Sequence, residues 1–191
     1  VLVAVPMNPS TFATLASSSI ADALDVTAAQ MQALKNAYVW NLSSVSSQTT
    51  TERLYQATMQ NTFADEMWVA DNSNVGGTYG IVDVGLIGSQ PWVQIANSTT
   101  ACMTRYDLDT TTFLPNLATS NGGKCTYNPF ARTWWQQVAT GNGSVVATSA
   151  MSHFSMPVSF IVLGIPYTTG SVSGQIVSAI TTDALSQQLR N

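Results

Sequence analysis

Apolar residues recur at helical spacing through the first third of the chain, with Ser, Thr and other polar residues between them. This pattern predicts one helix over residues 9–24 and a second helix that Asp25 or Thr27 caps and that continues to about Leu42. A third helix is predicted over residues 51–60, after a break rich in Ser and Thr. Each helix carries an apolar stripe, which we interpret as core packing, with homodimerisation through such a stripe as the alternative.

From Phe63 onward the pattern changes to short apolar runs and alternation, which predicts strands. The first two, over residues 67–70 and 78–86, flank a turn rich in Asp, Asn and Gly and should form a hairpin. Further strands are predicted over residues 92–96, 101–108, 145–148, 154–164 and 172–181. The last two are the most apolar and should lie in the middle of an antiparallel sheet. Residues 109–124 are polar and predict a long loop, and a short helix is expected to end near Ala139.

Charge is scarce in this chain. Only 8% of the 191 residues are Asp, Glu, Lys or Arg, whereas 45% are hydrophobic, and the formal net charge is −4. A folded protein with a sizeable core is therefore expected, with a surface built from Ser, Thr, Asn and Gln. Such a surface is typical of extracellular proteins. Because no basic stripe is present, we do not expect nucleic acid as a partner.

Cysteines and glycosylation sequons indicate the same oxidising compartment. Cys102 and Cys125 enclose a polar segment, and pairing them would stabilise the fold by roughly 3 kcal/mol. We favour this disulfide over two unpaired buried thiols, because sequons begin at Asn41, Asn97 and Asn142. These three residues are the predicted glycosylation sites. Membrane attachment is expected only through segments outside these residues.

The segment over residues 127–135, Tyr-Asn-Pro-Phe-Ala-Arg-Thr-Trp-Trp, concentrates aromatic rings around one Arg. A guanidinium offers donors in a fixed fork that matches a carboxylate, and flanking indoles supply apolar walls. This combination suits a pocket for a small carboxylate-containing molecule. A stacked aromatic cluster without a ligand is the alternative interpretation.

This segment also carries a family resemblance. Tyr127, Arg132, Trp134 and Trp135, spaced as Tyr-x4-Arg-x-Trp-aromatic, resemble the signature of Cache domains, the PAS-like extracellular sensor modules of transmembrane receptors. Residues 156–189 resemble the closing strands and helix of that family. The resemblance implies an α+β fold, in which a PAS-like antiparallel sheet of about five or six strands follows N-terminal helices and precedes a short C-terminal helix. It divides the chain into an N-terminal helical segment, residues 1–62, and a sensor module, residues 63–191, which fits a single module better than half of a double one.

The same resemblance implies roles for individual residues. Arg132 is expected to bind an anionic ligand group, the two Trp residues to wall the pocket, Tyr127 to contact the ligand or support the loop, and His153 to line the opposite wall. Where amino-acid-binding relatives carry an Asp on the last strand, this sequence has Ala179, so we expect the anchor for a ligand amine to be missing. The family's further Tyr is also absent.

No residue pattern points clearly to chemistry. His153 is the only histidine and no zinc motif, nucleophile elbow or phosphate-binding loop occurs, so neither a metal nor another cofactor is predicted. The acidic pairs Asp65–Glu66 and Asp107–Asp109 are interpreted as solvated turn charge. We therefore expect a non-enzymatic receptor ectodomain at the plasma membrane. A secreted or cell-surface interaction module without a small ligand, and a secreted hydrolase that uses acidic residues, are the alternatives.

Overall fold

The computed structural model describes residues 9–39, 47–61, 63–72, 80–86, 90–97, 102–125, 128–152 and 157–188. Four α-helices occur within these ranges: α1 Pro9–Val39, α2 Ser47–Gln60, α3 Thr133–Ala139 and α4 Thr182–Gln188. α2, α3 and α4 each overlap a helix that the sequence predicts, whereas α1 extends across the first two predicted helices.

The N-terminal region forms one helix where the sequence predicts two. Residues 9–39 are continuously helical, so the predicted start at Asp25 or Thr27 is wrong. The Thr27 hydroxyl donates to the Ala23 carbonyl one turn earlier, at 2.9 Å, rather than capping a helix N-terminus. Thr27 is fully buried, which explains why a residue that favours caps is placed within a helix.

Within the described residues, nine strands form a single antiparallel sheet. Their bounds are β1 Glu66–Asp71, β2 Gly80–Gly85, β3 Trp92–Asn97, β4 Cys102–Asp109, β5 Leu114–Cys125, β6 Val146–Ala147, β7 Met151–Ser152, β8 Ser159–Thr169 and β9 Val172–Thr181. The order across the sheet is β5-β4-β3-β2-β1-β9-β8-β6, and β7 pairs with the other half of the β8 edge. The count exceeds the five or six strands that the family resemblance implies. β6 lies within the predicted strand over residues 145–148, whereas β5 and the two-residue strand β7 were not predicted.

The predicted hairpin of β1 and β2 is confirmed, with Glu66 opposite Gly85 and Asp71 opposite Gly80. β9 has the predicted bounds and lies between β1 and β8 in the interior of the sheet. Residues 174–181 of β9 are all buried, as expected for a strand covered on both faces.

The prediction of a polar loop over residues 109–124 is wrong. A short turn, in which the Asp109 carboxylate accepts backbone N–H groups of Thr111 and Thr112, leads into strand β5. β5 pairs with β4 with two register shifts. Polar residues such as Asn116 remain exposed there, because β5 is the edge strand and one of its sides needs no neighbour. Its sequence therefore lacks the apolar alternation of an inner strand.

Each face of the sheet has its own hydrophobic core. On one face, Met67 and Val69 of β1 pack with Met31 of α1 and Leu54 of α2. On the other face, Trp68 and Ala70 pack with residues of α3 and β8. Successive residues of one strand therefore face different layers, and the second face carries the cavity described below.

Candidate ligand-binding site

A cavity of about 430 Å³ lies on the sheet face opposite α1 and α2. Two chain segments cover it, residues 131–134 and residues 149–152. The sheet supplies six side chains to its floor: Glu66, Trp68, Ile81, Asp83, Met103 and Phe160. Its volume is within the range of small-molecule pockets.

The strand register determines which side chains form the floor of the cavity. Trp68 of β1 lies opposite Asp83 of β2, and Glu66 lies opposite Gly85 on β2 and Ala179 on β9. Since side chains two residues apart share a face, Glu66 and Asp83 both face the cavity. The missing side chain of Gly85 leaves room for the Trp92 indole: a Cβ at Gly85 would lie only 2.0 Å from Trp92 Cζ2.

Two carboxyl groups are thus buried on this floor. Glu66 is 2% exposed and Asp83 is 4% exposed. Among the described residues, no hydrogen-bond donor reaches Asp83 Oδ1. Burial raises the pKa of Asp83 well above its ordinary value, the nearby charge of Glu66 raises it further, and the charge of Arg105 partly opposes both.

Arg105 approaches this floor from β4. It lies opposite Gln94, which in turn lies opposite Asp83. The Arg105 Cζ atom is 4.0 Å from the centroid of the Trp92 ring. Its guanidinium therefore stacks on the face of the indole for which Gly85 leaves room. Arg105 therefore contributes positive charge beside the cavity without being one of its lining residues.

The covering segment is built by local hydrogen bonds. The Asn128 side chain accepts the backbone N–H of Phe130 at 2.9 Å and caps a short 3-10 helix, Pro129–Ala131. Arg132 is extended, at φ −83° and ψ 144°, and joins this helix to α3. Arg132 is half-buried and lines the cavity. The Asn-Pro step thus fixes the chain just before Arg132.

α3 is packed tightly on the sheet. Trp134 is 5% exposed, and its ring meets that of Trp68 edge to face with centroids 5.5 Å apart. Gly164 of β8 admits Val138, because a Cβ at Gly164 would lie 2.3 Å from Val138 Cγ2. These contacts fix α3 close to the sheet, beside the cavity that its first residues cover.

The structure separates the predicted site residues. Arg132 and Trp134 line the cavity, whereas Trp135 packs on Phe130 with ring centroids 4.6 Å apart and is not among the described lining residues. The Gln175 side-chain amide donates a hydrogen bond to the Trp135 carbonyl, with Nε2 2.8 Å from the oxygen. Tyr127 and His153 lie outside the described residues. The ligand-binding role of all five residues stays a prediction.

Two cavity residues differ from the sequence interpretation. The interpretation of the pair Asp65–Glu66 as solvated turn charge is wrong. Glu66 is buried in the cavity floor, and Asp65 Oδ2 accepts the Thr181 N–H at 2.8 Å. Asp109, by contrast, is exposed at the end of β4, next to the turn. Asp83 was missed, although a carboxylate between two valines of an alternating strand is a signal that could have identified it.

The remaining predicted residues lie away from the cavity. Cys102 and Cys125 form the predicted disulfide between β4 and β5. Asn142 is exposed in the turn after α3, Asn97 ends β3, and Asn41 lies outside the described residues. In the described part of the chain, no group of three or more His, Cys, Asp or Glu residues is suited to a metal ion. Nor does any described helix combine the length and hydropathy that crossing a bilayer requires.

Comparison with known proteins shows the fold by structure rather than by sequence. No protein-family model and no curated protein matches the chain. A solved structure named Methyl-accepting Chemotaxis protein X is 16% identical with a TM-score of 0.62, over 94% of this chain and 63% of that one. The ligand-binding domain of the amino acid chemoreceptor PctC of Pseudomonas aeruginosa PAO1, in complex with GABA, is 13% identical with a TM-score of 0.59, over 93% and 64%.

A third structure is the extracellular domain of soHK1S-Z6, described as a histidine kinase. It is 11% identical with a TM-score of 0.51, over 96% of this chain and 67% of that one. The chain spans less than two thirds of the length of the first two structures. It has the α+β fold of Cache-type sensory domains, with a PAS-like antiparallel sheet, as the sequence predicts. The three structures belong to a chemotaxis protein, a chemoreceptor and a histidine kinase.

Proposed function

We propose that this chain is the extracellular ligand-binding sensor domain of a transmembrane signalling receptor, and that it binds a small carboxylate-containing molecule. The observation that carries this proposal is the cavity of about 430 Å³ in which Arg132 and Trp134 face the sheet. Arg132 would pair with the ligand carboxylate, and Trp68 and Trp134 would exclude water from that pair. The GABA complex of PctC, a domain with the same fold, supports a small ligand with a carboxylate.

The arrangement of the helices around the sheet suggests how ligand binding would be transmitted to an output domain. In this proposal, residues 63–191 form the sensor module and residues 1–62 the helical segment. α1 packs on β8 and β9 on the face opposite the cavity, and α4 follows β9 directly. Ligand binding would shift the sheet relative to α1 and α4, and this shift would reach an output domain. Ligand-bound and ligand-free structures with identical positions of α1 and α4 would contradict the route.

Thermal shift across small carboxylates tests the ligand assignment. A ligand that binds the folded state stabilises it by about 2.7 kcal/mol at 100 times its Kd, so saturable stabilisation is expected for at least one carboxylate. Arg132→Gln should weaken that affinity about 10- to 100-fold, because a charge-assisted hydrogen-bond pair is lost. Arg53→Gln is the matched control, since Arg53 donates to the Ala37 carbonyl at 3.0 Å, remote from the cavity. Equal shifts in wild type and Arg132→Gln would contradict the assignment. The absence of any shift would favour an interaction module.

One observation favours a second candidate, a hydrolase. Glu66 and Asp83 share the cavity, and the raised pKa of Asp83 is what a general acid requires near neutral pH. Turnover of glycoside or ester substrates that is lost in both Glu66→Gln and Asp83→Asn would support this candidate. Under the sensor proposal, neither class of substrate is consumed.

A further inference from the structure

We propose that Asp83 takes up a proton from solvent and hydrogen-bonds through it to Gln94 Oε1, and that this proton makes anion binding in the cavity depend on pH. The proton site follows from the contacts of Asp83 and Gln94 alone. The coupling to an anion rests on the proposed function and adds the regulation of that site.

Asp83 and Gln94 form a cross-strand pair on the cavity side of the sheet. They lie directly opposite each other on β2 and β3, and residues so placed have Cβ atoms roughly 4.5–5.5 Å apart on one face. Each side chain is 4% exposed, and Asp83 lines the cavity. A carboxyl group and an amide at this separation can form a hydrogen bond.

Each member of this pair has one buried oxygen that lacks a donor. In the described part of the chain, no hydrogen bond reaches Asp83 Oδ1 or Gln94 Oε1. Two acceptors cannot bond to each other, and a buried acceptor without a donor destabilises the folded state. Because a carboxylic acid is a donor as well as an acceptor, one proton on Asp83 gives an O–H···O bond that satisfies both oxygens.

The surroundings of Asp83 favour the neutral acid. Trp68 lies opposite it on β1, and Ile81 and Met103 line the same cavity. These largely apolar side chains do not replace the water that stabilises a carboxylate. Burial is the main cause that raises the pKa of Asp83, and the charge of Glu66 raises it further.

Charged groups face Asp83 from three other elements of the described structure. Glu66 approaches from β1, Arg105 from β4 and Arg132 from the covering segment. Residues 149–152 and Phe160, on the remaining sides of the cavity, carry no charge. Arg105 lowers the pKa of Asp83, but by less than burial raises it. Protonation of Asp83 therefore leaves Glu66 as the one carboxylate of the described lining, together with the cation Arg132.

This change of charge couples the cavity to pH. An anion beside Arg132 and an ionised Asp83 repel each other in an enclosed space. The anion therefore binds more tightly when Asp83 is neutral, and by linkage a bound anion favours protonation of Asp83. Affinity for an anion should rise as pH falls through the folded-state pKa of Asp83.

Infrared difference spectra of the intact chain across pH test the proton site without a ligand. Wild type should show a carboxylic acid band that persists above the ordinary pKa range of Asp and Glu. Asp83→Asn should remove this band, and Gln94→Met should move it to higher wavenumber, because the acid loses its acceptor. Asp183→Asn, an exposed control on α4, should leave it unchanged. If Asp83 is instead ionised and accepts the Gln94 amide, no such band appears and the proton site is wrong.

Calorimetry with acetate, butyrate and succinate, on both sides of the infrared midpoint, tests the coupling. An anion that binds should do so about 10-fold more tightly below the midpoint than above it. Asp83→Asn, whose neutral amide can also donate to Gln94 Oε1, should keep the higher affinity at every pH. Circular dichroism checks that each variant is folded.

The outcomes separate this inference from the proposed function. If an anion binds with one affinity on both sides of the midpoint, the carboxylate site stands and the coupling is wrong. A pH dependence that Asp83→Asn retains also contradicts the coupling. If none of the three anions binds at millimolar concentration, the proposed function and the coupling fail together, whereas the infrared band still decides the proton site.

Discussion

Glu66 on β1 lies directly opposite Ala179 on β9, where the neighbouring strand offers only a methyl group. Both residues are at most 2% exposed. A carboxylate is thus held at the junction of two central strands, beside a residue too small to cover it. A buried carboxyl group needs polar partners, so the contacts of Glu66 bear on the stability of the sheet as well as on the cavity floor.

Asp83→Asn should flatten the pH dependence of stability in the ligand-free protein. Burial raises the folded-state pKa of Asp83 above the unfolded value of about 3.9. Between these two values the folded protein binds more protons than the unfolded chain, so the free energy of unfolding falls as pH increases. This loss should begin near pH 4 and be complete above the folded-state pKa. Urea unfolding across pH 4 to 8 measures it, and an unchanged slope in the variant would contradict the burial of a titrating Asp83.

Gly85→Ala should destabilise the protein by about 1–3 kcal/mol. A Cβ at this position would lie 2.0 Å from the Trp92 ring, so the indole must move and leave Arg105 without its aromatic partner. Thermal or denaturant unfolding measures the effect. In a Trp92→Leu background the same change should be nearly neutral. An equal loss in both backgrounds would show that the Trp92 contact is not the cause.

Asn61→Ala should cost about 2–3 kcal/mol, because several buried groups lose their partners. The Asn61 amide donates to Thr27 at 2.9 Å and to Gln30 at 2.7 Å, and its oxygen accepts the N–H groups of Phe63 and Ala64. One side chain thus connects α1 to the segment that enters β1. Asn36→Ala is the control, since Asn36 accepts a hydrogen bond from Gln32 on an exposed helix surface, and this variant should change stability by about 0.5 kcal/mol or less. Comparable losses in the two variants would contradict this role.

Replacing Cys102 and Cys125 together by Ser should lower the free energy of unfolding by about 3 kcal/mol. The disulfide closes a segment with a sequence separation of 23 and joins the edge strand β5 to β4. Reduction of the wild-type protein should give the same loss, as denaturant unfolding with and without dithiothreitol will show. A variant as stable as the oxidised wild type would mean that the β4–β5 pairing needs no crosslink.

The local pattern of apolar, polar and turn residues was sufficient to predict many of the helices and strands. The bounds of β9 follow from a run of apolar and small residues between Gly170 and Thr182, and the β1–β2 hairpin follows from its turn residues. β5 could not be predicted in this way, because an edge strand with polar residues lacks alternation. α1 was divided into two because Thr27 has the chemistry of a cap, and only burial shows that its hydroxyl bonds within the helix.

The candidate site was predictable in part. The Asn-Pro turn and the aromatic rings pointed to Arg132 and Trp134, which line the cavity. The carboxylates of Glu66 and Asp83 were not recognised, because their burial depends on the strands that flank them and on a covering segment distant in sequence. Trp135 follows Trp134 in the same helix and packs on Phe130, and its role as a pocket wall stays a prediction.

The alternation along β9 separates two tasks within one strand. Val177 and Ala179 belong to the core on the cavity side, whereas Ile176 and Ile180 belong to the core beneath α1 and α2. A substitution on one face of β9 should therefore leave the layer on its other face unaltered. The cavity side and the helix side of this strand can be varied independently of each other.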